Sequence, residues 1–180
     1  MAILSAYTLI RMYIAAHLTI GYLLITNPRL IAEQNFVFIM GESLGLPHPK
    51  STFHLNPLAT SLLGLIFILN SISDFIAVSS TEEVSRGYWD AQAPVRLTFF
   101  FLLTGYTWLY RGPRGTVTTH PVKNSLVFSW GFVEIMWLFW VYTQLREEKR
   151  GAQLRIAMRK RELMRMERRA AGIVDEEDEE

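Results

Sequence analysis

Four long apolar segments dominate this chain of 180 residues. A helix needs ~20 mostly apolar residues to cross a hydrocarbon core of ~30 Å, and each segment meets or approaches that length. The segments cover residues 2–25, 57–78, 95–110 and 124–145. They predict an all-α fold in which residues 1–145 form a polytopic membrane bundle of four transmembrane helices.

The distribution of charge favours a membrane protein over a soluble one. Half of the residues are hydrophobic and 19% are charged, averages that either class can show. However, few charged residues lie between positions 1 and 145, whereas the segment from Arg146 to Glu180 is dominated by them. Cysteine is absent, which excludes disulfides and cysteine-ligated metals.

Three further segments lie outside the predicted spans. Residues 29–46 are apolar but too short to span comfortably, so we interpret them as an interfacial helix, with a re-entrant fifth span as the alternative. Residues 146–172 are predicted to continue the fourth span as a basic cytosolic helix, either solvated or in contact with anionic lipid headgroups. Residues 173–180 are predicted to be a disordered acidic tail.

The basic residues predict the orientation. With four spans, both termini and the 79–94 loop share one side, which carries eleven Lys and Arg residues, ten in the tail plus Arg86. The opposite side carries five. The positive-inside rule therefore places both termini in the cytosol. Because no basic region precedes the apolar N-terminal run, we expect a retained first span, and neither a cleaved signal peptide nor a mitochondrial presequence.

Five ionisable side chains lie within the predicted spans: Arg11, His17, Asp74, Arg96 and Glu134. A charge near the bilayer centre costs ~2.5–3.5 kcal/mol, so such residues usually face the bundle interior and pair. Glu134 and Arg11 lie at similar depths, ~16 Å and ~14 Å from the cytosolic side. Asp74 and Arg96 both lie near that side. We therefore predict two ion pairs, Arg11 with Glu134 and Asp74 with Arg96.

Helical spacing places polar and aromatic side chains beside these charges. Asn70 and Asp74 are four residues apart, and Trp130, Glu134 and Trp137 share one helix face. These groups either hold the helices together or line a pocket for an amphipathic or cationic ligand.

Other kinds of site have little support in the sequence. His17 fits a hydrogen-bonded buried histidine better than a proton relay. No phosphate-binding loop, zinc-protease motif or nucleophile elbow occurs. His48 and His54, with Glu42 upstream, lie among prolines in an irregular segment, so we predict no metal and no cofactor. The basic tail is interleaved with glutamate, so we also predict no nucleic acid partner.

Three segments together resemble a known family: "NSISDFIAV", "APVRLTFFFLLTGYTWLY" and "NSLVFSWGFVEIMWLFWVYTQLREEKR". Their order and spacing between residues 57 and 150 are similar to those of a fungal family of small four-span membrane proteins named for increased loss of mitochondrial DNA. The resemblance implies residence in the endoplasmic reticulum and a genetic link to mitochondrial genome maintenance. It implies no particular activity or catalytic residue. The matching positions include Asp74, Arg96, Glu134 and Trp137.

Three functions are compatible with these features. The first, which we expect, is a non-catalytic accessory or assembly factor in contact with membrane lipids and a membrane-protein partner, with an indirect role in mitochondrial DNA maintenance. The second is a helical bundle that binds, or binds and isomerises, a sterol or similar lipid. In this case Glu134 lies in the pocket as a general acid or as an anchor for the ligand. The third is an ion or proton pathway through Arg11, His17 and Glu134.

Overall fold

The computed structural model describes residues 5–48, 56–109 and 122–170, and all regular secondary structure within these ranges is helical. In chain order the helices are α1 Ala6–Thr26, α2 Arg29–Ala32, α3 Asn35–Leu44, α4 Pro57–Ser79, α5 Glu82–Leu109 and α6 Ser125–Ala170. His54 and the predicted acidic tail at 173–180 lie outside the described residues.

Local sequence signals explain where three of the helices begin or end. Ser5 caps α1, since its hydroxyl accepts a hydrogen bond from the backbone N–H of Thr8 at 3.3 Å. Pro57 occupies the first turn of α4, where a backbone N–H would have no helical partner. Gly45 ends α3 in a left-handed conformation with φ of 66°, which glycine adopts without steric cost.

The long helices form two closely packed pairs, α1 with α4 and α5 with α6. α1 and α4 approach each other closely at Gly21 and Gly64, where a Cβ atom on Gly64 would lie 2.7 Å from the carbonyl oxygen of Gly21. Small residues permit such approach in a membrane, where helix association depends on close packing. α1 also packs on α6, so the two pairs form one bundle.

A contiguous apolar core lies where α1, α5 and α6 meet. Its most deeply buried members are at most 1% exposed: Ala6, Leu9, Ile10, Trp89, Leu138 and Val141. Close packing of these side chains sets the position of α1 against α5 and α6. The same packing therefore positions the polar side chains that α1 carries on this face.

Among the described residues, three helices are long and apolar enough to cross a membrane by length and composition, namely α1, α4 and α6. The predicted third span covers residues 95–110, of which 95–109 lie in α5 and 110 lies outside the described residues. α5 does not meet this criterion, so the predicted count of four spans is not confirmed. α4 exposes many large apolar side chains, as a lipid-facing helix does: Leu58, Leu62, Leu65, Ile66, Leu69, Ile72, Phe75 and Ile76.

α5 also begins earlier than the sequence predicts. The predicted span starts at residue 95 after a loop, but the helix starts at Glu82 and continues through Pro94. A proline inside a helix removes one backbone hydrogen bond and costs ~3 kcal/mol. The first half of α5 offsets this cost by burying one face against the bundle, at Ser85, Trp89 and Ala93.

Residues 29–46, predicted to form one interfacial helix, contain the two short helices α2 and α3. α3 has ten residues, or ~15 Å, which is too short to cross a bilayer. It packs against the start of α6, where the backbone N–H of Ser125 donates to the carbonyl oxygen of Pro47 at 2.9 Å.

α6 joins the predicted fourth span and the predicted basic segment in a single helix. Its 46 residues extend ~69 Å, about twice the hydrocarbon thickness. Two contacts attach its middle to the bundle. Glu148 Oε1 accepts a hydrogen bond from the backbone N–H of Ala6 at 2.8 Å, and Lys149 Nζ lies 2.9 Å from Asp90 Oδ2.

Candidate functional site

Asp74, Tyr88 and Arg96 form the Asp74 cluster, which joins α4 to α5. Arg96 donates from Nη1 to Asp74 Oδ2 at 2.6 Å and from Nη2 to Asp74 Oδ1 at 2.8 Å. The Tyr88 hydroxyl donates to the same Oδ1 at 2.9 Å. The predicted pairing of Asp74 with Arg96 is confirmed, and its bidentate geometry is the strong form of this interaction.

Tyr88 lies in the first half of α5, outside the predicted spans. Burial raises the pKa of its phenol, and the hydrogen bond to Asp74 and the charge of that carboxylate raise the pKa further. The phenol therefore stays protonated at neutral pH and keeps donating to Asp74. Arg96 also lies over the ring of Trp89, with Cζ 5.5 Å from the ring centroid, a cation–π geometry.

Tyr13, His17, Trp130 and Glu134 form the Glu134 cluster, which joins α1 to α6. Glu134 Oε2 accepts a hydrogen bond from the Tyr13 hydroxyl at 2.9 Å, and Oε1 accepts from Trp130 Nε1 at 3.0 Å. His17 Nε2 lies 2.7 Å from the same Oε1. Glu134 is only 3% exposed, so these three contacts replace the hydration that the carboxylate loses on burial.

Hydrogen-bond geometry indicates that His17 and Glu134 are neutral as a pair. His17 Nδ1 lies 3.0 Å from the Tyr13 carbonyl oxygen, which only accepts, so Nδ1 carries a proton. The 2.7 Å contact between Nε2 and Oε1 then requires a second proton on one of those two atoms. With either placement of that proton, the charges of the pair sum to zero, which suits a buried site.

The predicted pairing of Arg11 with Glu134 is wrong. The side chain of Arg11 is exposed, and the groups bound to Glu134 are Tyr13, His17 and Trp130. Equal depth brought Arg11 and Glu134 together in the prediction, but successive helical residues are rotated by ~100°. Arg11 is thus turned ~200° from Tyr13 around α1, away from the buried face.

Two other predicted residues have roles that differ from the sequence pattern. Trp137 does not bind Glu134, although it shares that face of α6; its Nε1 donates to the carbonyl oxygen of Leu9 at 3.1 Å. Asn70 is exposed and lies at a cleft next to the Asp74 cluster, without a hydrogen bond to Asp74. Only one tryptophan therefore frames the Glu134 carboxylate.

A cleft of about 440 Å³ lies between α4 and α5, and both clusters contribute to it. Tyr13, His17 and Trp130 form its back wall. Its apolar walls come from α4 and α5: Leu63, Ile66, Phe67, Val95, Phe99 and Phe100. The polar groups that α4 and α5 add are Asn70, Ser71, Asp74 and Arg96. Glu134 does not line the cleft but lies behind the three side chains of the back wall.

The mouth of the cleft opens on the apolar surface of the bundle. Ile66, Val95 and Phe99 line it and are 55%, 66% and 58% exposed. Both charged clusters inside are neutral in sum, since Asp74 pairs with Arg96 and Glu134 shares a proton with His17. The site therefore combines apolar walls, a few convergent polar groups and no net charge. That arrangement is typical of a pocket for an uncharged amphipathic ligand.

Two residues of these clusters are absent from the sequence-based prediction. Tyr13 lies four residues before His17, so their placement on one helix face was available as a signal. Tyr88 falls in a segment predicted to be a loop, and no pattern in the sequence connects it to Asp74. Within the described residues no group of His, Asp and Glu side chains could hold a metal ion.

Comparison with known proteins places this chain beside one family. The family described as "Increased loss of mitochondrial DNA protein 1" matches residues 4–155. Protein ilm1 of Schizosaccharomyces pombe is 29% identical over 131 residues, which cover 72% of this chain and 73% of that protein. Protein ILM1 of Saccharomyces cerevisiae is 28% identical over 131 residues, which cover 73% of this chain and 59% of that protein. No solved structure matches the chain.

Proposed function

This chain belongs to the family of Increased loss of mitochondrial DNA protein 1, and we propose that it is a non-enzymatic, lipid-binding protein of the endoplasmic reticulum membrane. The observation that carries this proposal is the cleft between α4 and α5, with its apolar mouth and its neutralised polar interior. The family name links these proteins to loss of mitochondrial DNA. From the endoplasmic reticulum, such an effect would be indirect, through lipid supply.

The charges of the cleft favour an uncharged ligand. Arg96 is already bound in bidentate fashion by Asp74, so an anionic headgroup would have to compete with a buried carboxylate. Asp74 is occupied in the same way, which disfavours a cation. A hydroxyl group both donates and accepts, so it can bind at Arg96, Asn70 or Ser71 without breaking the ion pair. A sterol or another hydroxyl-bearing neutral lipid fits this requirement.

The aromatic walls suit a rigid apolar ligand. Phe67 and Phe100 each contact Trp130, with ring centroids 5.7 Å apart for Phe67 and Trp130 and 5.0 Å apart for Phe100 and Trp130. This continuous aromatic surface lies beside the polar interior, so a ligand with one hydroxyl and a large apolar body would satisfy both parts. The volume of about 440 Å³ falls within the range of ~300–1,000 Å³ for small-molecule sites.

The position of Glu134 supports binding over catalysis. A general acid must reach the reacting atom within hydrogen-bond distance, directly or through one water. Glu134 instead lies behind Tyr13, His17 and Trp130, and all three are bonded to it. Its role in this proposal is to position the back wall of the cleft rather than to transfer a proton to the ligand.

Native mass spectrometry of the protein released gently from its own membranes tests the proposal. We expect a neutral lipid bound at about one per chain. Ile66→Trp/Val95→Trp fills the mouth and should weaken lipid binding at least about tenfold, which corresponds to a loss of ~1.4 kcal/mol of binding free energy, so the occupancy of the site should fall. Ile72→Trp/Leu102→Trp is the matched control, since these residues are also exposed on α4 and α5 but lie outside the cleft. Equal lipid occupancy in both double variants would rule out binding in the cleft.

An accessory or assembly factor is a second candidate, favoured by the projecting part of α6. From residue 153 to residue 168 the side chains of this helix are exposed. Leu163, Met164 and Met166 are apolar residues within this exposed part, beyond the predicted fourth span. The same mass spectra test this candidate: a protein bound in fixed ratio and lost when Leu163→Ser/Met166→Ser is introduced would support a partner, whereas spectra of the single chain with lipid alone would not.

We also propose that the chain crosses the membrane four times with both termini in the cytosol. Because the chain has no cysteine, single cysteines can be labelled without background. A membrane-impermeant maleimide should label Ser5→Cys and Arg155→Cys in intact microsomes, and Glu33→Cys only after detergent is added. Labelling of Ser5→Cys and Arg155→Cys from opposite sides would instead show three spans, with α5 not crossing.

A further inference from the structure

A second cavity, here called the basic pocket, lies between α5 and α6. Its volume is about 410 Å³, and it is lined by Asp90 from α5 and by five residues of α6: Tyr142, Arg146, Lys149, Arg150 and Gln153. It shares no lining residue with the cleft between α4 and α5. An inference about the basic pocket therefore stands independently of the lipid proposed for the cleft.

The basic pocket lies at the end of the apolar part of the bundle. Along α6, Leu145 is the last core residue and Arg146 is the first charged residue after Glu134. Glu148, about half a turn after Arg146, accepts a hydrogen bond from the backbone N–H of Ala6. The start of α1 therefore lies beside the same end of the bundle. Tyr142 is the last aromatic residue of α6, as is typical of side chains at the membrane surface.

The charges of the basic pocket leave two cations without a carboxylate partner. Lys149 Nζ is bound to Asp90 Oδ2 at 2.9 Å. Arg146 lies against the tyrosine one turn before it, with Nη1 3.4 Å from the Tyr142 hydroxyl and Cζ 5.6 Å from the ring centroid. Among the described residues, no carboxylate forms an ion pair with Arg146 or Arg150. Three cations and one carboxylate give the lining a net charge of +2.

We propose that the basic pocket binds a phosphate group at the membrane surface, carried either by a phospholipid headgroup or by a soluble phosphate ester. Arg146 and Arg150 supply guanidinium groups that bind phosphate oxygens in pairs, and Lys149 adds a third positive charge. Gln153 and the Tyr142 hydroxyl can donate to the remaining oxygens. Basic pockets beside the membrane ends of helices bind anionic headgroups in this way.

The test uses the full-length chain in neutral detergent and native mass spectrometry. Dioleoyl phosphatidic acid and dioleoyl phosphatidylcholine are titrated separately, and inorganic phosphate is then added as a competitor. We expect the wild type to bind one phosphatidic acid at least tenfold more tightly than phosphatidylcholine. Arg146→Gln/Arg150→Gln should remove that preference. Arg155→Gln/Arg159→Gln, which removes the same charge from α6 outside the basic pocket, should keep the preference within twofold.

Four outcomes are informative. A preference that only the pocket variant loses supports the proposal with a lipid as the source of the phosphate. Displacement by inorganic phosphate at equimolar concentration supports the phosphate site with a soluble ester as the source. A preference that both variants lose equally overturns the proposal, because general attraction to a basic helix then suffices. Retention in the pocket variant also overturns it. The midpoint of thermal unfolding, measured for both double variants, checks that the substitutions leave the fold intact.

Discussion

Replacing Asp74 with leucine should lower the free energy of unfolding by about 3–5 kcal/mol, because removing one partner of a buried ion pair leaves the other charge buried without compensation. Asp74 is 3% exposed and accepts two hydrogen bonds from Arg96 and one from Tyr88. Arg96→Leu should cost a similar amount. The double variant Asp74→Leu/Arg96→Leu should recover most of the loss, because a well-packed apolar pair avoids the desolvation of both charges.

SDS titration of the purified protein in mixed micelles measures these differences. The pair formed by Arg29 and Glu33 is the control. These residues are four positions apart, their side chains are 2.7 Å apart, and both side chains are more than half exposed. Removing that pair should change the unfolding free energy by at most about 1 kcal/mol. If the losses from Asp74→Leu and Arg96→Leu simply add in the double variant, the ion pair does not hold α4 to α5.

The coupling of Glu134 to α1 is expected to run through His17 and not through Arg11. Glu134→Leu leaves three polar groups without their partner, on Tyr13, His17 and Trp130. Each buried donor or acceptor left unsatisfied costs about 1–3 kcal/mol, so we expect a loss of at least about 3 kcal/mol. His17→Leu should destabilise as well, and the two losses should be non-additive by about 0.5–3 kcal/mol.

A double-mutant cycle separates the two possible partners of Glu134. Glu134→Leu is combined with His17→Leu in one cycle and with Arg11→Leu in the other, and unfolding is followed in the same micelles. Because Arg11 is exposed and turned away, its cycle should be additive within about 0.5 kcal/mol. Coupling in the Arg11 cycle with none in the His17 cycle would contradict the geometry of the Glu134 cluster.

The success and failure of the two predicted ion pairs have one physical cause. Sequence position gives the depth of a residue in a helix, at 1.5 Å per residue. It does not give the rotation of that helix about its axis within the bundle. Asp74 and Arg96 match in depth and also face each other, whereas Arg11 matches Glu134 in depth and faces outward. The ionisable residue that contacts Glu134 is His17, which is predicted from the sequence to be a buried histidine but not to pair with Glu134.

The start of α5 could not be predicted from local sequence signals. Pro94 and the charged residues before it indicate a loop, and helix propensity alone supports that interpretation. The helix nonetheless runs through Pro94 because Trp89, at 0% exposure, packs into the core formed with α1 and α6. This packing brings Tyr88 to Asp74, so one member of the Asp74 cluster depends on tertiary contacts that no local pattern contains.

Four features could be predicted from the chain alone: the helical class, the long apolar segments, the concentration of charge after residue 145, and which ionisable residues lie within apolar segments. These features follow from composition and periodicity, which act within a single helix. Three further properties could be read only from the folded bundle: which helix faces meet, that Glu134 lies behind a cleft rather than in it, and that Arg146 and Arg150 border a separate pocket. Those properties depend on rotations and separations between helices, which arise from packing over the whole chain.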